Sequence, residues 1–137
     1  MHSNPDVRWI QRFQNFSRAY TLLREIEDAN LDVLKPIEQE GFIQRFEYTF
    51  ELLWKTLKDY LDESGITLTE ATPRVVIKTA FAASILDDGQ VFVDMMLARN
   101  LLSHTYDFEK FHEILKRVQS EFLPAIENVY MFFLEHT

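Results

Sequence analysis

The stretch Phe42 to Leu61, FIQRFEYTFELLWKTLKDYL, decides the fold. Within it Phe42, Phe46, Phe50, Leu53, Leu57 and Tyr60 or Leu61 recur at steps of three and four. That spacing gathers apolar side chains on one face of a helix and buries them against neighbouring helices, whereas a strand needs strict alternation. The pattern predicts a helix from about Glu40 to Glu63. Glu51 and Lys55 lie one turn apart in the favourable order and add about 0.3 kcal/mol on the outer face. Ser64-Gly65 closes the helix, with Gly65 suited to the left-handed cap.

The same periodicity extends outward in both directions. Upstream, Trp9, Phe13, Phe16, Tyr20 and Leu23 share a face from which Arg8, Gln11, Arg12, Gln14 and Arg18 mostly diverge, so a first helix is predicted from about Pro5 to Ala29. Pro5 fits a first helical turn. Lys35-Pro36 interrupts the chain, because the residue before a proline is pushed away from helical angles. Downstream, Thr72-Pro73 is an N-cap and first-turn pair for a shorter helix through Val76, Ala80 and Ala83. Asp87-Asp88-Gly89 is turn chemistry. A fourth helix begins near Gln90 and carries Phe92, Met95, Met96, Arg99 and Leu102. A fifth, from about Glu109 to Glu135, carries Phe111, Leu115, Val118, Phe122, Ile126, Val129 and Phe133, with a kink expected at Pro124. The expectation is an all-α antiparallel up-and-down four-helix bundle with a short extra helix, forming one domain over residues 1–137.

The composition agrees with this and narrows the function. The chain has 137 residues, of which 47% are hydrophobic and 26% charged, enough for a buried core and too apolar for a disordered chain. With no cysteine there is no disulfide, no thiolate metal site and no cysteine nucleophile, which suits the cytoplasm. Asp6, Arg8 and Arg12 interrupt the N-terminal apolar residues, so no signal peptide is expected, and no apolar run reaches bilayer length. The net charge of -8 disfavours broad binding to phosphate backbones, although Lys110, Lys116 and Arg117 follow one another on the last helix. Twelve phenylalanines are a large load for a small bundle, so a homodimer is expected to cover the surplus apolar surface.

Candidate chemistry concentrates in one segment. Phosphate loops, Ser/His/Asp arrangements and metal-ligand spacings are unconvincing: His2, His112 and His136 read as surface residues, and Glu47 with Glu51 as a solvated or ion-paired face. In Ala98 to Asp107, ARNLLSHTYD, Arg99 interrupts an apolar stripe, and Asn100 and His104 are one turn apart. Arg99 and Tyr106 are nearly aligned if the helix continues that far, which places a cation, an amide, an imidazole and a phenol within about 10 Å along the axis. His104 is suited to proton transfer near neutral pH and Arg99 to stabilising a charged phosphorane. On a straight helix the two side chains point about 140° apart, so two copies facing each other across a dimer would complete the set. The bland alternative on residue types alone is an Arg paired with Asp94 or Glu47 and a His satisfied by a carbonyl.

Arg99, four residues, His104, Thr105 and Tyr106 resemble the Arg-x4-His-x-Tyr signature of the HEPN domain family. The blocks Phe42 to Leu61 and Ala98 to Asp107, with TPRVVIKTAF from Thr72 to Phe81, are similar to the nucleotidyltransferase substrate-binding branch of that family. One departure is Phe92, where many relatives carry Trp. The resemblance implies a dimeric helical bundle encoded beside a minimal nucleotidyltransferase with which it forms a complex. It also implies a metal-independent endoribonuclease toxin, with Arg99 and His104 as the catalytic pair, Asn100 as a supporting polar residue and Tyr106 as acceptor of AMP. The alternative within the same branch is a noncatalytic subunit that presents RNA or a nucleotide substrate to the transferase. Neither version implies a metal or cofactor.

Overall fold

The computed structural model describes residues 8–137, and the residues described are helical with short connections. Helix α1 spans Arg8–Leu23, α2 Pro36–Glu63, α3 Pro73–Ala82, α4 Gly89–Leu102, α5 Phe108–Arg117 and α6 Leu123–His136. Four antiparallel members, α1, α2, α4 and the combined α5 and α6, make the bundle, and α3 is the short extra helix. Helix α2 is central, packing on α1, α3, α4 and α5, while α1 also meets α6. Among the described residues, no helix is long and apolar enough to cross a membrane.

The decisive stretch behaves as its periodicity dictates. Phe46, Phe50, Leu53, Leu57 and Leu61 are fully or almost fully buried, whereas Phe42 and Tyr60 are half-buried at the margin of the core. The helix starts about a turn earlier than expected. Lys35 is extended and acts as N-cap, and Pro36 takes the first helical position, where its missing N–H costs nothing. Glu38 accepts from the Lys35 amide at 2.8 Å and completes the cap. At the other end Gly65 takes φ +80, as its cap role requires.

The first helix is shorter than its pattern. It ends at Leu23, and Arg24–Asp28 continues as a 3-10 turn that still buries Ile26. The expected start at Pro5, like His2, lies outside the described residues. Thr72 caps α3 as expected, its hydroxyl accepting from the Val75 amide at 3.4 Å.

The expected kink at Pro124 is a widened turn. Val118–Phe122 forms a π turn between α5 and α6, in which the Leu123 amide reaches back to the Val118 carbonyl. Proline cannot donate to the carbonyl four residues before it and its ring crowds that carbonyl, and a π turn accommodates both defects. The turn also delivers two side chains. Phe122, fully buried, stacks on Phe46 of α2 with ring centroids 5.6 Å apart. Gln119 donates to the carbonyls of Ile26 and Ala29 at 2.8 and 2.9 Å, satisfying the end of the 3-10 turn after α1.

Candidate functional site

The segment singled out in the sequence occupies the end of α4 and the linker to α5. Helix α4 stops at Leu102 because the chain must extend again at Asp107, which caps α5 by accepting from the Glu109 amide at 2.9 Å. The Ser103 and His104 amides close the last turn on the carbonyls of Asn100 and Leu101. The helix therefore does not reach Tyr106, and the expected alignment of Arg99 with Tyr106 along one helix face fails.

Arg99 is half-buried rather than buried, and its guanidinium is divided between two environments. Its Nη1 donates to the Ser103 hydroxyl at 3.0 Å, and that hydroxyl lies 3.3 Å from the Arg99 carbonyl. Its Nε is enclosed without a hydrogen-bond partner. Of the two carboxylates considered as partners, Asp94 is taken by Arg117 at 3.1 Å. Glu47 of α2 is the one that feels Arg99: burial pushes its carboxyl pKa up, and the Arg99 charge offsets part of that rise. Arg99 is thus tethered through Ser103 and balanced by Glu47, with one edge left at the surface.

Asn100 and His104, which the spacing placed one turn apart, are both exposed. They share their side of the helix with Leu97 and Leu101, which are 49% and 43% exposed. Large aliphatic side chains beside an exposed imidazole and amide make an amphipathic stripe that the described residues leave uncovered.

Tyr106 turns the other way, towards the start of α2. It is 74% exposed, and its ring stands edge-on to Phe108 and Phe111, with centroids 5.5 and 5.6 Å away. Its hydroxyl donates to the carboxylate of Glu40. The bond to an acceptor anion raises the phenol pKa, because it favours the protonated form. Glu40 and Ser103 were not singled out in the sequence. Ser103 stands four residues after Arg99, a spacing that gives a signal; Glu40 is sixty-six residues from Tyr106 and gives none.

The cations downstream are mostly committed. Arg117 donates to Glu121 at 2.8 Å and to Asp94 at 3.1 Å, and its guanidinium lies over the Phe122 ring at 4.9 Å. Lys110 is 3.3 Å from Glu113. Arg117 therefore braces α4 against the π turn and does not offer itself to a phosphate. His112 is half-buried, with its Nε2 3.5 Å from Asp32, and is less solvated than its sequence context suggested. His136 is exposed at the end of α6 and stacks on Phe132. Glu51 accepts from Trp54 at 3.2 Å and lies 3.7 Å from Lys55.

Residues 11–135 match the family described as nucleotidyltransferase substrate binding protein like. The chain belongs to that family. The match contains the whole Arg99-x4-His104-x-Tyr106 signature and all six helices except the outermost residues of α1 and α6. A protein of Haemophilus influenzae named "Probable ribonuclease HepT" is 31% identical over 94 residues, 63% of this chain and 64% of that protein. A crystal structure of a Thermus thermophilus protein superposes with a TM-score of 0.71 at 31% identity, covering 88% of this chain and 97% of the other.

Proposed function

We propose that this chain is the HEPN-type subunit of a two-component minimal nucleotidyltransferase system: a metal-independent endoribonuclease toxin, cytoplasmic, neutralised by adenylylation of Tyr106. The observation that carries this reading is that Arg99, half-buried in the last turn of α4, and His104, exposed in the linker just after it, lie at the same end of that helix, with the exposed Asn100 between them in sequence. The H. influenzae relative named as a ribonuclease supports the same reaction class.

In the proposed reaction His104 exchanges protons with the 2′-hydroxyl and the leaving oxygen, and Arg99 meets the charge that accumulates on the phosphorane. Asn100 orients the phosphodiester. The exposed Leu97 and Leu101 favour a homodimer about α4, in which two such ends face each other and supply groups that one copy points apart. AMP on Tyr106 adds a phosphate negative charge on the linker that carries His104, and so opposes entry of RNA.

The test is RNA cleavage by the purified protein in EDTA. Wild type is expected to leave cyclic phosphate ends, and His104→Ala to lose about 100-fold or more of the rate, as removal of a general acid or base does. Full activity in His104→Ala overturns the assignment.

A further inference from the structure

The contact between Tyr106 and Glu40 assigns a role to a residue outside the motif. We propose that Glu40 is the general base that activates Tyr106 for AMP transfer. This rests on the reading of Tyr106 as the AMP acceptor and names the group that makes it reactive.

The phenol needs such a group. A tyrosine with an ordinary pKa near 10 is only about 0.1% ionised at neutral pH, and a neutral phenol is a weak nucleophile towards phosphorus. Tyr106 is open to a large partner, yet its ring is held edge-on against Phe108 and Phe111, which also pack on each other. Its hydroxyl is already bonded to a carboxylate anchored on the backbone of α2. General-base catalysis requires that reach between base and proton, and the rest of the surface leaves Tyr106 exposed for attack.

Competing groups nearby have other duties. Asp107 caps α5 on the Glu109 amide, and Glu38 caps α2 on the Lys35 amide. Lys110 pairs with Glu113, and Asp32 faces His112. His104 precedes Tyr106 on the same linker, and Glu109 stands on the first turn of α5. Glu40 is the group to which the phenol hydroxyl is bonded.

The step is concerted. With the carboxylate in place free phenolate is disfavoured, so the proton leaves Oη only as the Oη to α-phosphorus bond of ATP forms. The proton passes to Glu40, the bond from the α-phosphorus to the bridging oxygen breaks, and pyrophosphate departs with that electron pair. Tyr106 then carries AMP as a phosphodiester, and Glu40 returns its proton to water.

The experiment incubates the protein with its cognate nucleotidyltransferase and ATP and follows intact mass with time, comparing wild type, Glu40→Gln, Glu40→Asp and Tyr106→Phe. Wild type is expected to gain the mass of AMP and Tyr106→Phe to gain none. Glu40→Gln is expected to be slower by about 100-fold near neutral pH, and Glu40→Asp to recover part of the loss. The deficit of Glu40→Gln should shrink as pH rises towards the ordinary phenol value, because hydroxide then replaces the base. Incorporation into Glu40→Gln at the wild-type rate, or a deficit that stays constant with pH, overturns the role of Glu40 while leaving Tyr106 as acceptor. Wild type that gains no mass overturns the acceptor reading and the base together.

Discussion

The Tyr106 hydroxyl donates to Glu40, joining the linker after α4 to the second turn of α2 across sixty-six residues of sequence. Because the acceptor is an anion, the bond holds the phenol in its protonated form and raises its pKa. In Glu40→Gln the carboxamide no longer opposes ionisation, so Tyr106 should titrate at lower pH than in wild type, nearer the ordinary value of about 10. Ring-carbon NMR shifts followed through an alkaline titration check this directly, with Tyr106→Phe identifying the signal.

Two carboxylates, Glu47 on α2 and Asp94 on α4, should affect stability with opposite signs. Burial raises the Glu47 pKa in the folded state, so its protonated form is the better tolerated one: its contribution is fully present at low pH and is lost as pH rises through the folded value. Glu47→Gln should therefore melt a few degrees above wild type near neutral pH, with the gap closing on acidification. Asp94 is held down by its bond from Gln90 and by Arg117, so its contribution is present at neutral pH and fades as pH falls through the folded value. Asp94→Asn should melt below wild type at neutral pH and converge with it in acid. Thermal melts across that range decide both.

The π turn predicts where the fold is vulnerable. Gln119 donates to two carbonyls at the end of the 3-10 turn, and Gln119→Ala removes both bonds, leaving the Ile26 carbonyl with the Ala29 amide alone and the Ala29 carbonyl without its side-chain donor. The expected loss is about 2 kcal/mol in urea unfolding. Phe46→Ala, which removes a fully buried ring and its stacking on Phe122, should lose about 4 kcal/mol.

How much of this was visible in the sequence depends on whether the cause was local. Steps of three and four announce α2 and its buried face because burial selects for them directly, and Thr72-Pro73 announces α3 because capping acts within one turn. Pro124 signals a defect but not its form: whether proline produces a kink or a π turn depends on what the rotated side chains find, here the carbonyls of Ile26 and Ala29 and the ring of Phe46. At the candidate site, the Arg-x4-His-x-Tyr signature singles out Arg99, His104 and Tyr106, and the i to i+4 spacing from His104 adds Asn100. It does not give the end of α4 at Leu102, which sends Tyr106 to Glu40 instead of along the face of Arg99. A pairing between distant helices leaves no periodic trace.

The dimer in the proposed function has its own check. Leu97→Asp with Leu101→Asp puts charges on the uncovered stripe of α4 without touching the core. Light scattering at micromolar concentration should show a dimer for wild type and a monomer for the double variant, with cleavage falling in parallel. A monomeric wild type contradicts the need for two facing copies.

The central claim is that Arg99 and His104 cut RNA and that AMP on Tyr106 stops them. The most direct measurement is the rate of RNA cleavage in EDTA by the same preparation before and after treatment with the cognate nucleotidyltransferase and ATP. The account predicts cleavage by the untreated protein that is absent in His104→Ala and that disappears as AMP accumulates on Tyr106. Untreated protein that cuts no faster than His104→Ala, or fully adenylylated protein that cuts as fast as before, contradicts it.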